Sequence, residues 1–458
     1  MTGSPRATVI VVNYNGAHLL PACLDALAAQ ATDGPAFDTV VVDNASVDGS
    51  CELLAAEYPW ATLIANETNL GFAGGNNVAL RQLRTPYAVL LNNDAVPEPG
   101  WLRELLGVFE QQGNHDVGIV TGKVLFLPKF VTLALDTPGF QPGTADTRDL
   151  GVRIYQVLVN GVDVTEKVLW KAAVYGPEGH GEGRFRWSRP NGEILVPVPA
   201  ELCTDHQTDQ PVTITLLAAA ESAKPLTLAS ADQSVTGQVS DRTPTAVVIE
   251  LHRGTAALDV VNNVGGRVFD DGSGGDRGFQ EIDRGQYDEA TEVFTACGNG
   301  MAMRSAVGNE LGWFDDSFFM YYEDTDLSWR WRSAGWSIRY QPTAVLRHIH
   351  SASSKEWSPR WMFFVERNRL LMLTKNATPA LALSAFGSYL RAFLVMSARS
   401  VRETAVRRRR PALGVHLLRL KVLMSFSKHV PHALRDRISM QRRAVTPARE
   451  LQKWLVQR

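Results

Sequence analysis

Several polar clusters in this 458-residue chain combine residue types able to do chemistry. Asn92-Asn93-Asp94 follows the apolar run Tyr87–Leu91. A carboxylate at a strand end can hold a divalent cation, and the cation can neutralise a diphosphate. Asn and Asp also make such turns unaided, because their side chains bond nearby backbone. Asp43-Asn44-Ala45-Ser46 follows another apolar run. Asp43 can accept the N3–H of a uracil or thymine ring, or cap a helix starting near Asp48. Asn69 through Asn77, NLGFAGGNN, is a glycine-rich turn opening a helix. Its glycines let backbone approach a ligand, and a helix N-terminus suits phosphate. It is neither GxGxxG nor a P-loop, and a tight turn explains it as well. Glu323-Asp324-Thr325-Asp326 is the sharpest cluster, because Trp313 to Tyr322 before it is dense in aromatics. Carboxylates beside aromatics are partly desolvated, which raises their pKa toward that of a useful general base. The competing explanation is an acidic helix start. His348-Ile349-His350 ends a predicted strand, Ala344–Leu346. One of the two histidines could complete a metal site; a lone histidine otherwise serves as a satisfied core or surface residue.

The elements around these clusters alternate. Strands are predicted at Thr8–Val12, Phe37–Val42, Thr62–Ile64 and Tyr87–Leu91. Helices are predicted at Leu19–Ala29, Ser50–Glu57, Gly74–Leu83 and Trp101–Gln111. Near-continuous apolar strands separated by helices imply an α/β fold with a mostly parallel sheet covered on both faces. Ligands of such sheets lie beyond the carboxyl ends of the strands, where NYNG, DNAS and NNDA all sit. From about Pro128 the texture turns to short β pieces between Gly/Pro/Asp turns, such as Arg153–Val159, Ile194–Val198, Pro211–Leu217 and Ala246–Leu251. An inserted antiparallel, sandwich-like β domain is expected there. The divisions expected are 1–127, 128–257, 258–358 and a helical basic region 359–458.

Composition is that of a globular protein, with 45% hydrophobic and 21% charged residues, which excludes collagen-like and wholly disordered chains. The formal charge is only −2, but residues 355–458 hold 22 Lys/Arg against 5 Asp/Glu. A basic tail on an acidic body suits an anionic surface. The four scattered cysteines form no CxxC pair, so a reducing cytoplasm is expected. The apolar run Ala380–Ser397 contains Arg391 and is expected to be a buried or interfacial helix, not a membrane span.

The ordered series NYNG, DNAS, NLGFAGGNN, NNDA, GNGMAMRS, FFMYYEDTDLSWR and a following histidine resembles glycosyltransferase family 2. That family comprises inverting nucleotide-sugar transferases of GT-A fold. The similarity is greatest to the rhamnosyltransferase-like branch of cell-wall and O-antigen polysaccharide synthesis. It covers about residues 6–127 and 258–375, and Asn262-Asn263-Val264-Gly265-Gly266 through Gln286-Tyr287-Asp288 also looks like that branch.

The resemblance implies a nucleotide pocket lined by Asn13, Tyr14 and Asn15, with Asp43 on the base and Asn44 nearby. Asn69, Gly71, Phe72 and Asn76 would border the sugar nucleotide, and Gly298, Asn299 and Gly300 would lie beside donor sugar and acceptor. Asn92-Asn93-Asp94 stands where the family carries Asp-x-Asp. Asn92 departs from that pattern, so Asp94 is the expected carboxylate ligand of Mg²⁺ or Mn²⁺, with His348, or else His350, as second ligand. Asp324, paired with Glu323, matches the catalytic base. The implied reaction is metal-dependent transfer of a sugar, rhamnose from dTDP-rhamnose or a UDP-sugar such as UDP-galactofuranose. The acceptor would be a glycan or lipid-linked glycan. The expected place is the inner face of the cell membrane, with peripheral contact through the tail, no nucleic-acid partner, and oligomerisation open. The competing reading is a catalytically weak glycan-binding or assembly protein that uses the β insertion. Trp170, Tyr175 and Trp187 could stack on sugars there, or be core aromatics.

Overall fold

A computed structural model describes residues 4–32, 34–144, 146–179, 181–198, 211–252, 255–349, 358–407 and 413–458. The chain divides into two compact units. The first comprises Met1–Leu127, Val261–Phe279 and Arg284–Arg458; the second comprises Pro128–Val260 and Gln280–Asp283.

The first unit is built on a mixed sheet. In spatial order its strands are Thr291–Glu292, Ser337–His348, Val117–Phe126, Gly300–Arg304, Tyr87–Asn92, Ala7–Asn13, Phe37–Asp43 and Thr62–Ala65. Ala7–Asn13 runs parallel to both Phe37–Asp43 and Tyr87–Asn92, in a register that aligns Asn13 with Asp43 and Val12 with Asn92. The polar residues that stop each β-branched run therefore end at one level of the sheet. The parallel pattern breaks at Gly300–Arg304, which runs antiparallel to Tyr87–Asn92 and puts Gly300 opposite Leu91. This insertion is what carries the GNG turn to the strand ends.

Both faces are covered. Val9, Val11, Val41, Val89 and Leu91 pack under the helices Leu20–Ala29 and Trp101–Glu110, while Ile10, Val42, Leu90 and Met301 pack on the other face. Alternation along each strand sends successive side chains to opposite layers, so both sets must be apolar. The helix expected at Gly74–Leu83 instead spans Gly71–Leu80, because the Asn69 side-chain oxygen accepts the Gly71 N–H at 2.8 Å and starts it early.

The second unit consists of two antiparallel sheets around one core that includes Val131, Leu133, Ile154, Val157, Ile214 and Leu228. Its aromatics have partners. Trp187 is buried with Phe140 and Phe185 at its edge, and Tyr175 lies under both Arg148 and Arg189. Trp187 is thus buried, whereas Trp170 and Tyr175 are half-buried.

Helices Pro359–Asn376, Pro379–Arg407 and Leu413–Arg443 complete the first unit. Leu370, Leu371, Leu373, Leu381, Tyr389, Val422 and Phe426 join Trp329 and Phe318 in a third core. The apolar run Ala380–Ser397 is mostly exposed rather than buried. Pro379–Arg402 is long and apolar enough to cross a membrane, with mean hydropathy 1.4, yet only 17% of its most apolar window is buried.

Candidate active site

The strand-end cradle is tied together by amides. Asn13 is fully buried and donates to Asp43 Oδ2 at 2.9 Å, while its own oxygen accepts from Asn93 at 2.8 Å. Ser46 donates its N–H to Asp43 Oδ1 at 2.8 Å and its hydroxyl to Oδ2 at 2.6 Å. Asn13 and Ser46 thus supply three donors to the Asp43 carboxylate in the turn, and the Cys51 thiol bonds it as well. Asn15 adopts φ 51°, and its oxygen accepts from Val47 N–H at 2.9 Å. Tyr14 beside it is 45% exposed. Asn44 is buried and bridges Gly71 C=O and Asn66, at 2.9 Å each. Asn76 donates to Phe72 C=O at 2.9 Å inside its helix. At Gly71, φ is 73° and a side chain would collide with the Phe319 carbonyl, so glycine is required there.

Asp94 and His348 come together across two paired strands, because His348 is the register partner of Ala95. Their Oδ1 and Nε2 lie 3.0 Å apart, and both residues are buried. Asn92 Nδ2 is 3.4 Å from the same imidazole nitrogen. One carboxylate and one imidazole, with a diphosphate and water for the rest, fit Mn²⁺ or Mg²⁺. His350 lies outside the described residues. Asp315, His432 and Asp436 also gather three ligand atoms within 4.8 Å. The Lys375 ammonium already stands among them, 2.7 Å from Asp315 and 3.2 Å from Asp436, which leaves a metal ion no role there.

The acidic cluster begins the helix Glu323–Ser333. Gly298 N–H donates to Asp324 Oδ2 at 3.1 Å, and Thr325 N–H donates to Oδ1 at 2.6 Å. A side chain on Gly298 would meet the Phe72 ring at 2.9 Å, so the glycine lets this loop sit between Phe72 and Asp324. The same loop reaches the metal-type pair, since Asn92 N–H donates to Asn299 C=O at 3.1 Å. Gly298-Asn299-Gly300 thus joins the Asp94–His348 pair to Asp324.

The two adjacent acids differ. Glu323 is buried, its Oε2 has no hydrogen-bond partner, and burial followed by the Asp324 charge pushes its carboxyl well above the usual range. Asp324 is half-buried, and burial raises its pKa against the lowering by the Gly298 and Thr325 N–H groups. Burial thus favours the neutral form of Glu323 more strongly than that of Asp324, whose charge two N–H donors support. The Cys297 thiol is pushed well above its ordinary value by burial and by Asp276, so no thiolate nucleophile forms here.

Sequence reasoning missed the residues that hold the loop before Asp324. Phe319, Tyr321 and Tyr322 all have φ between 66° and 68°. Asn368 donates to the carbonyls of Phe318, Met320 and Tyr321 at 2.8–2.9 Å, and Arg367 to those of Ser317 and Phe318 at 2.7 and 3.0 Å. Buried Asp326 accepts from Arg330, Lys375 and Asn376. The polar residues Arg367, Asn368 and Lys375 on the helix that also carries Leu370, Leu371, Met372 and Leu373 were the available signal.

Residues 8–134 match the family described as Glycosyl transferase family 2. The succinoglycan biosynthesis protein ExoO of Rhizobium meliloti is 31% identical over 128 residues, 26% of this chain and 36% of its own length. The N-acetylglucosaminyl-diphospho-decaprenol L-rhamnosyltransferase of Mycobacterium tuberculosis is 44% identical over 59 residues, 13% of this chain and 19% of its own. Among solved structures, the Pyrobaculum calidifontis mannosyltransferase with GDP-Man and Mn²⁺ aligns over 94% of this chain and 88% of its own, at 14% identity and a TM-score of 0.39. The alignment with ExoO spans about a third of that relative's length. The family match over residues 8–134 and these relatives make that region similar to glycosyl transferase family 2.

Proposed function

We propose that the chain is an inverting glycosyltransferase of cell-wall polysaccharide synthesis, moving a sugar from a nucleoside diphosphate to a glycan or lipid-linked glycan acceptor. The observation that carries this reading is Asp324, half-exposed at a helix start and bonded to the Gly298 turn. That turn is bonded through Asn299 to the strand end that carries Asp94.

In this reading Asp324 accepts the proton of an acceptor hydroxyl. The hydroxyl oxygen bonds to the anomeric carbon from the face opposite the diphosphate, whose bond to that carbon breaks. Asp94 and His348 would hold the divalent cation, which supplies positive charge for the departing diphosphate when bound. Asn13, Asn15, Asp43 and Asn44 shape the nucleoside end, and neutral Glu323 keeps a second negative charge away from the base. The donor proposed is dTDP-rhamnose or a UDP-sugar such as UDP-galactofuranose; the rhamnosyltransferase relative supports rhamnose as the sugar.

The test is release of nucleoside diphosphate from dTDP- and UDP-sugars with Mg²⁺, Mn²⁺ or EDTA. Metal-dependent release is expected from one donor. Asp94→Ala should abolish metal-dependent donor binding. Asp324→Asn should keep binding and lose about 10²- to 10⁴-fold in turnover, the usual contribution of a general base. Failure to bind any donor with any metal would favour a glycan-binding protein instead.

A further inference from the structure

The hairpin formed by helices Pro379–Arg407 and Leu413–Arg443 turns one side to the core and leaves the other bare. On the first helix Leu383, Leu390, Leu394 and Val401 recur at helical spacing, with Leu383 71% and Val401 69% exposed. Eighteen residues of helix make this row about 27 Å long. On the second helix Leu417, Met424 and Ile438 recur at multiples of seven and are 53–65% exposed. Isolated exposed leucines are ordinary; aligned rows on adjacent helices need an occupant.

Charge identifies the occupant. Lys421, Lys428 and Arg435 are exposed; the first two follow Leu417 and Met424 by four residues, and Arg435 holds the same place four residues after Pro431. Four residues advance a helix by about 40°, so a basic row borders the apolar row. From 379 to 443 the sequence holds two acids, Glu403 and Asp436. Asp436 is half-buried against Lys375. A soluble helix surface normally mixes both signs. An apolar stripe with a basic border and almost no acids matches an interfacial helix lying on anionic lipid.

The same features argue against a second copy. A symmetric pairing along the apolar row would bring Lys421, Lys428 and Arg435 alongside their own counterparts, without acids to pair them. They also argue against nucleic acid, whose phosphates would leave the leucines in water. Arg391 lies in the middle of the first apolar row's helix, and Leu381, Ala385 and Tyr389 bury the helix's opposite side. Both features hold the helix on a membrane rather than across it.

We propose that the exposed face of this hairpin docks the enzyme on an anionic phospholipid surface, with the apolar rows in the acyl boundary and the basic row at the headgroups. The proposal does not depend on which donor the active site takes, because its readout is lipid binding.

The experiment is co-sedimentation of the full chain with phosphatidylglycerol-containing vesicles and with pure phosphatidylcholine vesicles. Binding is expected with the first and should weaken about tenfold with the second. Combined Lys421→Glu, Lys428→Glu and Arg435→Glu should produce a similar loss at low salt. Combined Leu417→Ser, Met424→Ser and Ile438→Ser should remove the binding that survives about 1 M salt, where the screening length is ~3 Å. All six side chains are exposed, so the fold and donor binding should persist in both variants. A chain that stays in the supernatant with anionic vesicles at low salt overturns the proposal. So does a dimer in light scattering that the serine variant converts to monomer, or RNA binding that competes the protein off the vesicles.

Discussion

Asp324 and Glu323 are neighbours in sequence with opposite electrostatic fates. Asp324 takes two backbone N–H donors and keeps partial access to solvent, so it can carry charge. Its raised pKa puts the acidic limb of the turnover profile above the ordinary aspartate range, with rate rising as pH rises through that value. Glu323 is buried, and that burial, with the neighbouring Asp324 charge, favours its neutral form. A carboxyl whose folded pKa exceeds its unfolded one binds its proton more tightly when folded. Its stabilising effect is therefore complete below the unfolded pKa and is lost as pH rises through the folded value. Glu323→Gln should match wild type in thermal midpoint at acidic pH and exceed it increasingly toward alkaline pH. A difference that shrinks with rising pH would show that Glu323 is ionised in the folded protein.

Between residue and fold, the decisive element is the helix Pro359–Asn376, which lies outside the family match at 8–134. Three aromatic residues with φ above 60° in one short loop store backbone strain, roughly 1–3 kcal/mol each. The loop keeps that shape because Asn368 and Arg367 satisfy its carbonyls. Asn368 is a positioning residue in this account: it touches the loop, and the loop places Asp324. Asn368→Leu leaves buried carbonyls unpaired, at a cost of about 1–3 kcal/mol. It should lower kcat at least tenfold while the donor KM changes little, since the Asn13–Asp43 cradle is made by other elements. Equal changes in kcat and KM at unchanged pH profile would reduce Asn368 to a stability role.

At the scale of the whole molecule, the chain is a mixed-sheet α/β unit interrupted by a second unit with its own core. The interruption leaves from and returns to paired strands, for Val261 is the cross-strand partner of Leu125. A short turn can therefore replace Pro128–Val260 without moving the sheet. The shortened protein should keep metal-dependent donor binding, which calorimetry can measure. If the inserted unit holds a polymeric acceptor, transfer to long glycans should fall while transfer to short ones survives. Equal loss for both would remove that role.

Local chemistry determined a great deal. β-branched runs ending in Asn or Asp announced the strands and the level of the sheet where polar groups collect. The texture change after Pro128 announced a β-rich insertion, because short strands between turn residues pack only with one another. The mixed character of the sheet was not legible: Gly300–Arg304 pairs with strands about 180–210 residues earlier, and no local pattern states a partner or a direction. Tertiary structure alone also brought His348 to Asp94 through a strand pairing, turned Asp43 inward on Ser46, and separated Glu323 from Asp324 by burial. It alone revealed that the tail helices leave leucines and lysines on one face. Each of these depends on which groups the fold removes from water, and burial is a property of the folded whole, not of any window of sequence.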